Sequence, residues 1–301
     1  MNIHLPIRAG FAFGICSLIV RRALKTNSLD LSGAIAALLV GFVLTLTNLC
    51  FFSSLLVFFL SSSMLTKFRS EVKREIEDDF KEGGQRNWIQ VFCNGGVACL
   101  LAAIYFLDNG CGERPIDYAR DFDASLIAMA ILGAIACSCG DTWSSEIGTA
   151  FPNNKPRLIT TLRHVPTGTN GGVTFIGFLA SITGGLLVGI AYYAVLVMSM
   201  FFRGKSNGYP QQWPIILIGC AGGFIGSIVD SILGATVQYS GYCSVRKKVV
   251  NKPAPNAKHI SGCPLMHNHT VNLVSSAITS VAMSIFGYYL WKFIDSQYRP
   301  L

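Results

Sequence analysis

At 301 residues, with 51% hydrophobic and only 13% charged side chains, the chain departs far from the roughly 25% charged composition of soluble domains. A mean hydropathy of +0.47 and repeated apolar runs of membrane-crossing length exclude an ordinary soluble enzyme and predict an all-α polytopic membrane protein. The net charge of +8 comes without any basic–aromatic pattern, so it gives no reason to expect a nucleic-acid partner.

Taken in chain order, eight transmembrane helices are expected near 5–21, 31–47, 49–65, 88–107, 124–140, 171–200, 214–236 and 270–292. No polar stretch is long enough for a second domain, so residues 1–301 read as a single membrane domain. The first run, Phe11 to Val20, is flanked by Arg8, Arg21 and Arg22, with no small-residue cleavage site after it. It reads as a retained helix. Asn48 joins the second and third spans so tightly that they should form a helical hairpin. The ten cysteines contain no Cys-x-x-Cys, and Cys137-x-Cys139 puts its two thiols on different helix faces, so they read as small hydrophobes.

Loop charge predicts orientation. The loops near 21–30, 65–87, 141–170 and 237–269 hold 3, 6, 3 and 5 of the 24 Lys and Arg, which makes that side cytosolic and places both termini on the luminal side. An endoplasmic reticulum or related endomembrane location is the default. Within the charged cytosolic segment 66–87, Glu71–Arg74 and Glu77–Lys81 are favourable helical pairs, so a solvent-facing helix ending at Gly83-Gly84 is expected. The acidic luminal loop from Asp108 to Asp123 is assigned no chemistry. The sequon Asn268-His269-Thr270 lies on the cytosolic side, where it would not be glycosylated.

The unusual polar residues all fall at the cytosolic ends of spans. Asp141 and Glu146 follow the fifth span. Asn170 and its glycines open the sixth. Asp230, followed by Ser231, lies inside the seventh. Arg86, Gln90 and Asn94 share one face at the start of the fourth, and His259 and Asn272 precede and open the eighth. A carboxylate inside an apolar span costs a few kcal/mol, so Asp230 marks a functional site unless a partner such as Arg86 neutralises it. Asp141, Asp230 and Glu146 together offer oxygen ligands only, the set that suits Mg²⁺ completed by phosphate. Thr167-Gly168-Thr169-Asn170-Gly171-Gly172 leads toward a helix whose N-terminus faces the cytosol, with Arg157 and Thr160 nearby as donors. Such a loop can cradle an anion, or can equally serve close helix packing. The loops 141–170 and 237–269 are therefore the expected site loops. No Walker A sequence and no Gly-x-Ser-x-Gly elbow occurs.

The stretches Gly140-Asp-Thr-Trp-Ser-Ser-Glu-Ile-Gly148, Pro156-Arg-Leu-Ile-Thr-Thr161, Val165-Pro-Thr-Gly-Thr-Asn-Gly-Gly-Val-Thr174, Asp230-Ser-Ile-Leu-Gly-Ala-Thr-Val-Gln-Tyr239 and Gly83-Gly-Gln-Arg-Asn-Trp-Ile-Gln-Val-Phe-Cys-Asn-Gly95 resemble the transmembrane protein 19 family. That resemblance covers nearly the whole chain from Ser28 onward. The family includes the plant phytyl-phosphate kinase, and the Gly-Asp…acid-x-Gly pattern is also similar to the CTP-dependent phytol and dolichol kinases. The resemblance implies a membrane kinase moving a nucleotide γ-phosphate, from CTP by analogy, onto an isoprenoid alcohol or monophosphate. It makes Asp141 and Glu146 metal or nucleotide ligands and Thr167 to Gly172 the phosphate loop. The Arg-Lys-x-x-His element of the phytol and dolichol kinases is absent here. Two other readings stay open: a transporter or channel for an anion or lipid, and a non-enzymatic scaffold.

Overall fold

The protein was analysed as a computed structural model that describes residues 4–76, 84–151, 155–204 and 208–298. Nine α-helices are present among them: α1 (His4–Lys25), α2 (Leu31–Thr47), α3 (Leu49–Lys67), α4 (Ser70–Ile76), α5 (Trp88–Asn109), α6 (Phe122–Ala150), α7 (Phe175–Phe202), α8 (Pro214–Val237) and α9 (Asn268–Tyr298). Six of these, α3 and α5 to α9, are long and apolar enough to cross a membrane. Helix α2 is apolar but only 17 residues long. Helix α1, with Arg8, Arg21, Arg22 and Lys25, falls outside that set. All eight expected segments are helical, and six of them carry the length and composition of a span by themselves.

Local signals explain the helix starts. Asp30 caps α2 by accepting from the Gly33 amide at 2.7 Å. Asn48 ends α2 and caps α3, accepting from the Cys50 amide, so the hairpin expected at that residue forms. Asn87 and Gln90 make a reciprocal capping box at the start of α5. Of the expected charged helix, only Ser70–Ile76 is described as α4; Glu77, Asp78, Asp79, Lys81 and Gly83 lie outside the described residues.

Helix α6 is the axis of the bundle. From Ala128 to Gly140 every residue is buried, and α3, α5, α7, α8 and α9 all pack around it. Without a hydrophobic drive between helices in lipid, such packing depends on small residues that let backbones touch. A Cβ on Gly140 would lie 2.5 Å from the Gly223 carbonyl oxygen, and one on Gly226 would lie 2.7 Å from Cys137 Cα. Helices α6 and α8 therefore meet backbone to backbone.

Two small antiparallel sheets, absent from the all-helical expectation, sit between helices. Strands β1 (Arg157–Leu158) and β2 (Gly172–Val173) pair before α7. Strands β3 (Ser240–Cys243), β4 (Lys248–Val250) and β5 (Ala257–Ser261) form a sheet of order β4-β3-β5 between α8 and α9.

Hydrogen bonds group the connections at two ends. At one end, Lys67 Nζ donates to Thr26 O, the Asp30 amide to Arg86 O, Arg69 to Ala150 O and Lys248 Nζ to Arg74 O. These are the basic loops that the charge count placed on a common side. The other end is tied by Glu113, in the loop that the sequence left without a role. Its carboxylate, only 4% exposed, accepts from Arg8 of α1 at 2.7 Å, from Arg203 at the end of α7, and from the Leu49 amide that opens α3 at 3.1 Å. Burial pushes the Glu113 pKa up, but the Arg8 contact and the amide outweigh it and leave it below the ordinary carboxylate value.

A carboxyl depressed in the folded state contributes stability that is present above its unfolded pKa and is lost as pH falls through the folded one. Thermal unfolding of the protein in nanodiscs should therefore show a stability decline below the normal Glu range. Glu113→Gln should lower stability by roughly 1–3 kcal/mol at pH 7 and flatten that acid limb. A variant with the wild-type pH profile would contradict the clamp.

Candidate functional site at the basic end

Helix α6 does not stop at Cys139, where its apolar run ends, but continues to Ala150. The segment Asp141 to Gly148, expected as a loop, is thus about two further turns of helix. The reason is packing: Gly140, Ser144 and Gly148 form one small-residue face, with Ser144 against Gly177 and Gly148 against Thr174. Glycines that read as loop punctuation are the contact surface for α7 and α8.

The α6–α8 contact brings two carboxylates together. Asp141 follows Gly140 directly, and Asp230 lies one turn beyond Gly226. The two interact electrostatically as like charges. Asp230 is buried and accepts from Ser275 Oγ of α9 at 2.9 Å. The Asp141 carboxylate makes no hydrogen bond or ion pair with any described residue. Arg86 does not neutralise Asp230: its guanidinium donates to Ser63 Oγ at 3.0 Å, lies over the Phe59 ring and feels the charge of Glu146. Burial pulls the Arg86 pKa down, and Glu146 partly restores it; a guanidinium so placed remains charged.

A polar chain leads from the pair across three helices. Ser275 also faces the Asn272 carbonyl at 3.1 Å, and Asn272 Nδ2 donates to Asn94 Oδ1 of α5 at 3.2 Å. Asn94 in turn donates to Gln90 O, and its own carbonyl accepts from Ser138 of α6. Buried Asn272 Oδ1 and Ser227 Oγ have no hydrogen-bond partner among the described residues. Asp141, Asp230, Asn94 and Asn272, expected as site residues from four separate segments, thus do converge. Ser275 and Ser138 belong with them and were missed, because a serine in an apolar helix carries no signal until its neighbours are known.

Other expected members fall elsewhere. Glu146 does not complete a three-carboxylate set: Thr66 Oγ1 donates to it, and Arg86 is its electrostatic partner. Among the described residues, no group of three or more His, Cys, Asp or Glu could hold a metal ion. Arg86 precedes α5, bridging to Leu29, so it does not share a helix face with Gln90 and Asn94, though all three line one cavity. The Gln90 side chain is engaged in the capping box. His259 bonds the Gly262 carbonyl and rests against Tyr239 within the three-stranded sheet.

The glycine-rich loop is likewise not a free anion cradle. The amides of Thr169, Asn170 and Gly172 donate to Pro166 O, Ser240 Oγ and Thr169 O. The Thr169 hydroxyl also donates to Pro166 O, and Asn170 Nδ2 to Tyr239 O and Asn251 Oδ1. The loop, from Thr167 and Gly168 (φ +90°) onward, leads into β2, and α7 starts only at Phe175, capped by Thr174. Gly171, at φ +74°, is pressed onto α8: a Cβ there would meet Ser231 O at 2.5 Å and Ala235 Cβ at 2.5 Å. Its carbonyl accepts from the Ile159 amide, which fixes the exposed turn bearing Arg157, Thr160, Thr161 and Arg163 beside this part of α8.

The fold and this buried polar end define a multispan helical membrane protein. The chain belongs to the integral membrane protein family DUF92, whose model matches residues 14–280. It is 44% identical to Protein PGR of Arabidopsis thaliana over 97% of this chain and the whole of that protein. An uncharacterized membrane protein of Methanocaldococcus jannaschii is 30% identical over 72% of this chain and 78% of its own length. One from Synechocystis is also 30% identical, over 61% of each. No solved structure matches the chain.

The charge arrangement has a sign that can be measured. With Mg²⁺ removed by chelator, Asp141→Asn deletes one of two like charges and should raise stability in detergent by about 1 kcal/mol. Glu146→Gln removes an attraction to Arg86 and should lower it by a similar amount. If both substitutions shifted the midpoint of thermal unfolding in the same direction, the assignment of opposite electrostatic environments would be wrong.

Proposed function

We propose that the protein is a membrane-embedded, Mg²⁺-dependent kinase that moves the γ-phosphate of a nucleoside triphosphate, CTP by family resemblance, onto an isoprenoid alcohol or monophosphate. The observation that carries this reading is the pair Asp141 and Asp230, brought into electrostatic contact by the glycine crossing of α6 and α8, with the Asp141 carboxylate taking no donor from the described residues. Two like charges so placed call for a cation. The two carboxylates and the buried oxygens Asn272 Oδ1 and Ser227 Oγ are ligands that fit Mg²⁺, while the neighbouring Cys137 thiol is engaged with Ser275 Oγ. A pair of carboxylates suffices, because Mg²⁺ keeps waters and takes substrate phosphates as its remaining ligands. When bound, the ion would supply charge neutralisation for the triphosphate.

The chain's own residues divide the remaining tasks. Asp141 and Asp230 hold the metal; Asn94, Asn272 and Ser275 fix Asp230 in place. The exposed turn with Arg157, Thr160 and Arg163 offers cations and hydroxyls to a nucleotide arriving from water, while the amides of Thr169, Asn170 and Gly172 are already committed. Arg86 supplies fixed positive charge to the acceptor side, where charge develops on the transferred group. In the transfer, the acceptor oxygen bonds to the γ-phosphorus as the bond to the β–γ bridging oxygen breaks. The diphosphate leaves with that electron pair. An alcohol acceptor also loses its proton, for which a carboxylate of the pair is the nearest base. The positive-inside rule places this end on the cytosolic side, and an endomembrane location, taken as the default, completes the proposal.

The transporter reading needs a polar path to the opposite end. The charged cluster there, around Glu113, is occupied in neutralising itself through Arg8 and Arg203. Between the two ends stand the buried rings of Phe51, Tyr105 and Tyr192.

Purified protein incubated with Mg²⁺, γ-labelled CTP, ATP, GTP or UTP, and phytyl, farnesyl, geranylgeranyl and dolichyl alcohols or monophosphates should transfer label into lipid. Asp141→Asn and Asp230→Asn should each lower transfer at least 100-fold while the protein stays folded. Undiminished transfer in either variant would remove the metal assignment, and no transfer from any donor would remove the kinase.

A further inference from the structure

A cavity opens between α1, α2, α3 and α5, and nothing in the proposed chemistry above accounts for its apolar length. Its walls are mainly hydrophobic, with Ile19 and Val20 of α1, Val40 of α2, Leu55 and Phe59 of α3 and Val91 of α5 among them. Its polar groups gather toward one end: Arg86, Gln90, Asn94 and Thr142. Along α3 its lining runs from Phe52 to Phe59, one turn short of Ser63, the residue that receives the Arg86 hydrogen bond. Seven residues of helix rise about 10 Å, part of the depth of one leaflet of a roughly 30 Å hydrocarbon core.

The head of this cavity is unusually charged for its surroundings. Arg86 makes no ion pair within contact distance of a described residue; its guanidinium meets one hydroxyl and one aromatic face and feels the charge of Glu146 from farther off. A guanidinium has five N–H donors, most of which therefore remain available to a planar or tetrahedral oxyanion. Asn94, beside it in the wall, is the first member of the chain that runs through Asn272 and Ser275 to Asp230.

We infer that this cavity is the binding site of a single-chain lipid with a phosphate head: the aliphatic tail lies between α1, α2, α3 and α5, and the phosphate meets Arg86. The Arg86 cation selects an anionic head over an alcohol or an ammonium. The inference places the acceptor lipid of the kinase reading and rests on that reading for its use. Occupancy is measured by labelling alone, so its failure and the failure of phosphoryl transfer are separate results. The same chemistry could belong to a resident membrane lipid or to a substrate monophosphate, and the competition arm below tells the two apart.

The test uses full-length protein in phosphatidylcholine nanodiscs and a hexadecyl phosphate carrying a mid-chain diazirine. After irradiation, label should map to peptides containing Cys16 to Val20 and Phe52 to Phe59. Dodecyl phosphate should compete at least tenfold better than dodecanol or dodecyltrimethylammonium. Farnesyl phosphate competing at least as well as lysophosphatidic acid identifies a substrate monophosphate; the reverse order identifies a resident lipid with the same head chemistry, and either order supports the site. Leu55→Trp and Val91→Phe, two ways of filling the cavity, should each reduce labelling at least tenfold with the melting temperature retained. Arg86→Ala should weaken dodecyl phosphate competition tenfold or more, and Arg86→Lys should restore part of it. Labelling that maps elsewhere, that survives both filling variants in folded protein, or that shows no head-group preference would overturn the inference.

Discussion

The close approach of α6 and α8 is the constraint on which the rest depends. Gly140 and Gly223 bring the two backbones into contact, and that contact fixes where Asp141 and Asp230 stand. In lipid there is no gain from simply burying apolar surface between helices, so a crossing this close is a positional device. It lets two carboxylates share a space that would otherwise hold side chains. Helix α9 then supplies Ser275 to one of them, and α5 reaches the same place through Asn94 and Asn272. The polar end is a product of five helices around one axis.

The two ends of the protein handle charge in opposite ways. Glu113 is surrounded by Arg8, Arg203 and the Leu49 amide, so its charge is spent on holding α1, α3 and α7 together. Asp141 receives no such partner. A buried carboxylate with donors on several sides is structural; one facing a like charge must take up either a proton or a cation. Arg86, with one hydroxyl, one ring and the more distant charge of Glu146, differs from Arg203, which meets the Glu113 carboxylate directly. Nucleotide and lipid would meet here for a physical reason: a triphosphate needs water, an isoprenoid tail needs the bilayer, and only this boundary offers both.

Much of this was legible in the sequence, and the failures have definite causes. The apolar runs located all eight long helices, because hydropathy integrates over many residues. Asp230 and Asp141 stood out through the cost of placing charge beside apolar segments. Three features were hidden. The helix beyond Cys139 was obscured because Gly140, Ser144 and Gly148 serve equally as loop breakers and as a packing face, and only the partner helices decide between them. The glycine-rich stretch from Thr167 to Gly172 has the composition of an anion loop, yet the amides of Thr169, Asn170 and Gly172 are committed and Gly171 is a joint against Ser231 and Ala235. Glu146 sits five residues from Asp141, a spacing that turns it toward Thr66 and Arg86 and away from the carboxylate pair. The motif is contiguous in sequence but divided between two faces of one helix.

The measurement that bears most directly on this account is thermal unfolding of the protein in nanodiscs as Mg²⁺ is added with a non-hydrolysable CTP analogue. A cation held between Asp141 and Asp230 stabilises the folded state by mass action, so the wild-type midpoint should climb with Mg²⁺ concentration. Asp141→Asn and Asp230→Asn should each abolish that climb, and Glu146→Gln should leave it in place. An equal climb in both aspartate variants, or none in the wild type, would contradict the claim that this pair is a metal site.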